Sequence, residues 1–337
     1  MTSILKKWHQ VKSCSEVLGY LTVAPKNMNT PLFSVITPAY NCAEYIEETI
    51  KSVLTMASEF SFEYIVVNDG STDETASILD HYRSQIIVIT TLNSGESTAV
   101  NVGINSAKGE YILVVSADDP LFTKKLFQGV HDIFRTNPTI NVLYPDWRMI
   151  DSNGNLVKEI TVPSFSLDLL IGENKTLPGP GTFFRSEPAR AIGGRNARWK
   201  FVGDFDFWLR MSAEGGFLHR SETLAQWRQH QNSTSVAQRG LEMAMERIDV
   251  IDEFLNSYPV EEKLARKARS SSYYLAARLN YFDPRIAGRQ LMLRSVTTRR
   301  GWPKQMKLME FFYLLGLPLT RKVLMVSKFF RHSLRGQ

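Results

Sequence analysis

The chain has 337 residues, 43% apolar and 22% charged, the balance of a globular protein with room for one large α/β domain and an appendage. Its two cysteines, Cys14 and Cys42, lie far apart with no CxxC or Cys/His spacing, so neither a disulfide framework nor a zinc site is suggested. A formal charge of +6 favours an anionic partner, and nucleic acid, a membrane surface and a phosphorylated ligand all qualify.

The opening "MTSILKKWHQVKSCSEVLGY" breaks its apolar residues with charges, and no segment reaches the roughly 20 apolar residues of a membrane span. A cytosolic location is expected. From Leu32 the chain alternates: "LFSVIT" reads as a buried strand, "AEYIEETIKSVLTM" as an amphipathic helix, "FEYIVVND" as a strand and "DETASILDHYR" as a helix. "IIVIT", "ESTAVNVGINSA", "EYILVVS" and "TKKLFQGVHDIF" repeat the rhythm as strand, helix, strand and helix. The pattern predicts an α/β fold, a Rossmann-like and mostly parallel sheet with helices on both faces. "NVLYPDWRMI", the turn "DSNGN" and "LVKEI" predict a hairpin joined to it. After the Gly/Pro-rich "LPGPGTFF" come a helix at "GDFDFWLRMSAEG" and two short strands in "FLHRSETLAQWRQH". Beyond Ala237 only helices are expected, in "GLEMAMERIDVIDEFLNSY" and "EEKLARKARSSSYYLAARLNYF". This divides the chain into an extension (1–31), the sheet domain (32–236) and a helical C-terminal region (237–337).

Ligands of an open α/β sheet bind beyond the carboxyl ends of its strands. Here the four ends read "TPAYN" from Thr37, "NDGSTDE" from Asn68, "TLNSGES" from Thr91 and "SADDP" from Ser116, all polar and turn-forming. No GxGxxG follows the first strand and no GxxxxGK[ST] occurs, which argues against a dinucleotide dehydrogenase and a P-loop enzyme. Asp118 and Asp119 end a buried strand with no basic neighbour in sequence. Adjacent carboxylates in a low dielectric repel, and a hard divalent cation, Mn²⁺ or Mg²⁺ held jointly with a ligand's phosphates, would relieve them. An N-cap for the next helix is the competing reading of "DDP".

In order and spacing, "FSVITPAYNCAEYIEETIKSVL", "YIVVNDGSTDET", "NSGESTAVNVGINSAKGEYILVVSADD" and "GDFDFWLRMSAEGG" resemble the successive motifs of the inverting family 2 glycosyltransferases of the GT-A fold. The resemblance covers 33–235. It implies that Thr37, Pro38 and Tyr40 belong to the nucleotide site of a nucleoside-diphosphate sugar, with Pro38 and Tyr40 lining the base. It implies that Asp69 bonds a uracil-type ring, that Asn93 lies beside the nucleoside and that Asp118 is near the ribose and the metal. Asp119 is implied on the metal itself, Arg228 and His230 of "WRQHQNSTS" near the diphosphate, with His230 a further metal ligand, and Asp204 as catalytic base. The chain departs from the family at Ser116, where many members have Asp, at Gly203, where many have Glu, and at Trp227, more often Tyr. The expected reaction transfers a sugar, from a UDP-sugar by expectation, to a hydroxyl of a saccharide or lipid-linked acceptor in surface polysaccharide synthesis.

Taken singly, Tyr40 also reads as a core aromatic, Asp69 as an Asx-turn residue and Asp204 as a helix cap. A nucleotidyltransferase would want a Gly-rich phosphate loop with an activating Lys, which is not found, and a catalytically silent nucleotide-sugar or membrane-binding scaffold is the alternative from another class. The segment 299–337 sets nine Lys or Arg residues against Glu310 and interleaves Trp302, Phe311, Phe312 and Tyr313. Such a tail suits peripheral contact with the inner face of a membrane, or an amphipathic helix on the catalytic domain. With no nucleic-acid reader motif, nucleic acid is not expected as a partner.

Overall fold

The computed structural model describes residues 30–56, 60–231, 241–279, 288–299 and 310. The N-terminal extension, Asn232 to Thr234 and nearly all of the basic tail lie outside the described residues. Two compact units emerge: one comprises the sheet up to Ser166 and from Thr176 to Val236, the other the segment Leu167–Lys175 together with the chain from Ala237. The segment 167–175 thus interrupts the sheet domain in sequence while belonging to the helical unit.

The sheet unit opens with β1 (Phe33–Ala39), α1 (Ile46–Leu54), β2 (Phe62–Asn68), α2 (Thr75–His81), β3 (Ile87–Thr90), α3 (Glu96–Ser106) and β4 (Tyr111–Val114). It continues with α4 (Val130–Thr136), β5 (Ile140–Ile150), β6 (Leu156–Ile160), β7 (Phe183–Arg185), α5 (Ser186–Ala191), α6 (Gly203–Glu214) and β8 (Gly216–Arg228). The strands lie in the order β3-β2-β1-β4-β7-β5-β6, with β8 on β5. β1 is parallel to β2 and β4, β2 to β3, and β5 to β8, whereas β7 runs against β4 and β5, and β6 against β5. Six described strands therefore point the same way, and their carboxyl ends share one edge.

Strand alternation explains the layers. Phe33, Val35 and Ala39 of β1 face one core with Ile46, Ile50 and Val53 of α1, Leu79 of α2 and Ile133 of α4. Ile36 points the opposite way, and α3 presses so closely there that a Cβ on Gly103 would overlap the Ile36 side chain. Helices thus cover both faces. The hairpin forms as its sequence predicts: Asp151 Oδ1 accepts from Asn153 N and Asn155 N, both at 2.9 Å.

Three details differ from the sequence reading. The helix expected over "TKKLFQGVHDIF" is a 3₁₀ turn, Lys124–Leu126, followed by α4, because Gly129 adopts φ 72° and breaks the run. The two strands expected in "FLHRSETLAQWRQH" are one 13-residue strand, β8, whose register against β5 slips between Arg220 and Thr223. The polar Ser221–Glu222 step that looks like a break is a bulge. The three residues of β7 sit in what reads as loop.

In the helical unit, α7 (Leu241–Ser257), α8 (Glu262–Leu279) and α9 (Gly288–Arg299) pack around Ala244, Ile248, Tyr274, Ala277, Leu291 and Met292. Ser270 and Ser295, both buried, each donate to the other's carbonyl, at 2.8 and 2.7 Å, which brings α8 and α9 close. Segment 167–175 joins them through Ser271 Oγ donating to Gly172 O at 2.7 Å and Asn174 Nδ2 donating to Ala268 O at 3.0 Å. No helix among the described residues is long and apolar enough to cross a membrane.

Candidate functional site

The loops at the carboxyl edge are tied to one another by side chains. After β1, Asn41 accepts from Thr72 N at 2.8 Å, and its own N donates to Ser71 Oγ at 3.1 Å. Asp73 Oδ2 accepts from Ala43 N at 3.1 Å, and Thr75 Oγ1 from Cys42 N at 2.9 Å. Burial pushes the Cys42 thiol up to about 11, so it offers no nucleophile near neutral pH. Pro38 and Tyr40 stand at this rim, with Tyr40 48% exposed. Thr37 does not: its side chain is fully buried and its hydroxyl lies 3.0 Å from that of Tyr64, because the alternation of β1 turns it into the core.

Asp69 is buried at the end of β2, where it organises the next loop. Its Oδ1 accepts from Ser94 N at 2.9 Å and Thr91 Oγ1 at 3.1 Å, and its Oδ2 from Gly95 N at 2.8 Å. This holds Asn93 exposed at the rim. Gly70, at φ 72°, makes the crossing possible, since a Cβ there would lie 2.8 Å from Asn93 N. Beyond that loop, Gly203 at the start of α6 faces Ser97, whose Oγ would be 2.6 Å from a Cβ at position 203. The family's Glu at this position would displace Ser97. Asp204 beside it is exposed on the first turn of α6, with Oδ1 accepting from Phe205 N at 2.7 Å. Asp206, the other acid of that turn, is buried against Arg210 at 2.6 Å and serves the fold.

Asp118 and Asp119 follow β4 and meet the end of β8, more than a hundred residues further along the chain. Arg228 N donates to Asp119 Oδ1 at 2.7 Å, Gln226 Nε2 to Pro120 O at 2.7 Å, and His230 Nε2 lies 2.9 Å from Asp118 Oδ2. Burial, and then the adjacent Asp118, hold the Asp119 carboxyl well above the ordinary carboxylate range. Asp118, Asp119, Arg228 and His230, scattered in sequence, are therefore neighbours.

Like Thr37 and Asp69, Arg228 and His230 meet partners other than those the resemblance implies. Arg228 is 2% exposed, and its Nε donates to Asp118 O at 2.9 Å, Nη1 to Ser152 O at 2.9 Å and Nη2 to Glu48 Oε2 at 2.6 Å. It braces the carboxylate turn, and the expected direct contact with a diphosphate gives way to this positioning role. His230 turns its Nε2 to Asp118 and lies tilted against Tyr45, ring centroids 4.8 Å apart, so in this arrangement it is a partner of the carboxylate. No cluster of three or more His, Cys, Asp or Glu forms a metal cage among the described residues. Asp118 and Asp119 nevertheless fit a hard cation: two oxygen donors, one desolvated and relieved by positive charge, suit Mn²⁺ or Mg²⁺ that takes its remaining ligands from phosphate and water.

Sequence reasoning missed Thr49 and Ser52 of α1, which hold this same turn. A signal exists for Thr49: it is a hydroxyl in the otherwise apolar buried stripe Ile46, Ile50 and Val53.

The mostly parallel sheet thus gathers at one edge a carboxylate turn, ordered loops and an acid at a helix N-terminus. The profile of Glycosyl transferase family 2 matches residues 34–188, and the fold is that of the GT-A glycosyltransferases. An uncharacterized glycosyltransferase of Rickettsia prowazekii is 27% identical over 259 residues, 74% of this chain and 79% of the relative. A chondroitin synthase of Escherichia coli is 30% identical over 212 residues, 61% of this chain but 30% of the synthase, so the chain spans less than a third of that protein. Among solved structures, TarS 1–349 of S. aureus in complex with UDP-GlcNAc is similar with a TM-score of 0.61 and 21% identity, covering 78% of this chain and 79% of that one.

Proposed function

We infer that the protein is a metal-assisted, inverting glycosyltransferase that moves a sugar from a nucleoside-diphosphate sugar, a UDP-sugar in the first instance, to a hydroxyl of a saccharide or lipid-linked acceptor. The convergence of Asp118 and Asp119 with the ordered loops of β1 to β3 at one sheet edge carries this reading. The chondroitin synthase relative and the UDP-GlcNAc complex of TarS support a UDP-sugar and a role in surface polysaccharide assembly.

Tyr40 offers an exposed aromatic face for the base, with Pro38 and Asn93 at the same rim and the buried Asp69 acting through the loop that carries Asn93 instead of by the expected direct bond to the ring. Asp118 would lie by the ribose, and Asp118 with Asp119 would hold Mn²⁺ or Mg²⁺. When bound, that cation neutralises charge growing on the departing diphosphate. Asp204, exposed at the start of α6, takes the proton of the acceptor hydroxyl while its oxygen attacks the anomeric carbon. The new C–O bond forms opposite the one that breaks, so the configuration inverts without a covalent enzyme intermediate. The basic and aromatic composition of 299–337 supports a reaction at the cytosolic face of a membrane.

A transfer assay over UDP-sugars and saccharide acceptors tests the assignment. Asp204→Asn should lower the transfer rate by about 100-fold or more while leaving UDP affinity within about twofold. Wild-type turnover in that variant would remove Asp204 from the mechanism.

A further inference from the structure

Neighbouring carboxylates in a buried turn push each other apart, so the turn needs to be held from outside. In this protein one face of α1 does so on both sides of the pair. Thr49, fully buried, donates from Oγ1 to Ala117 O at 2.9 Å, directly before Asp118. Ser52 Oγ accepts from Leu121 N at 2.8 Å, two residues after Asp119, and donates to Thr49 O at 2.7 Å. The turn from 117 to 121 is thereby pinned at its entry and its exit by a single helix. A valine would fill the place of Thr49 among Ile46, Ile50 and Val53 equally well, and a hydroxyl buried there is compensated by the carbonyl it meets.

We propose that Thr49 and Ser52 are positioning residues of the donor site, which set the spacing and aim of the Asp118 and Asp119 carboxylates and through them the affinity for a nucleoside diphosphate bound with a divalent cation. This rests on the donor reading given above. Groups that orient metal-holding side chains commonly change affinity by 10- to 100-fold when removed.

Calorimetric titration of the full chain with UDP, with and without Mn²⁺, tests the proposal, with the melting temperature of each variant recorded alongside. Thr49→Val should weaken the Mn²⁺-dependent UDP affinity by about tenfold or more. Thr49→Ser, which keeps the hydroxyl, should restore it to within about twofold, and Ser52→Ala should weaken it in the same direction. A Thr49→Val protein that melts earlier yet binds UDP and Mn²⁺ as the wild type does would reduce the hydroxyl to a fold-stabilising role and overturn the proposal. Should Thr49→Val fail to fold, wild-type affinity in Ser52→Ala overturns it equally. A wild-type chain that binds no UDP with either Mn²⁺ or Mg²⁺ would instead remove the donor reading, and this inference with it.

Discussion

Arg228 carries a lesson in what a side chain's sequence neighbours conceal. Standing at the end of a strand in "WRQH", it reads as a phosphate ligand, but its guanidinium is spent on Asp118 O, Ser152 O and Glu48, the last 180 positions away. Three segments hang on that one cation. Arg228→Ala would take the donor from the half-buried Asp118 carbonyl and the exposed Ser152 carbonyl and free the exposed Glu48, and should cost about 2 kcal/mol of unfolding free energy in a urea titration. A loss below about 1 kcal/mol would mean that the brace is dispensable. The carboxylate pair itself was legible, because Asp118 and Asp119 are adjacent and follow an apolar strand. Thr37 was not, since only the side-chain parity of β1 decides that it turns inward to Tyr64. The resemblance to family motifs singled out Asp204, and the structure adds that a side chain at Gly203 would require the Ser97 hydroxyl to turn aside.

Among the elements, those with strong periodicity were readable and those set by long-range pairing were not. The βα alternation from β1 to β4 follows from short buried strands rich in Val and Ile and from the apolar stripe of α1. β7 pairs through three residues with β4 and two with β5, too short to leave a pattern of its own. β8 looks divided because its bulge falls on polar residues, although the ladder with β5 continues to Arg228. The close approach of α3 to β1 yields a sharper expectation. Gly103→Ala should destabilise the protein by about 1–3 kcal/mol through overpacking against Ile36, read as a lower urea midpoint. Unchanged stability would show that α3 can retreat from β1 without loss. That approach is also what brings the first turn of α3, with Ser97, to the edge where α6 begins.

At the scale of the molecule, the sheet unit gathers its polar loops at one edge and the helical unit has its own core of small and apolar residues. The assignment of 167–175 to the helical unit depends on Ser271 and Asn174 contacts that no local pattern announces. In the proposed reaction Asp118 and Asp119 form the cation-dependent half of a nucleoside-diphosphate site. The most direct measurement is the thermal stability of wild type and Asp119→Ala with UDP, in the presence and absence of Mn²⁺. At about 100 times its dissociation constant, UDP should add roughly 2.7 kcal/mol to the wild-type protein only when Mn²⁺ is present, and nothing to Asp119→Ala. Stabilisation that ignores the metal, or that survives the loss of Asp119, would contradict it.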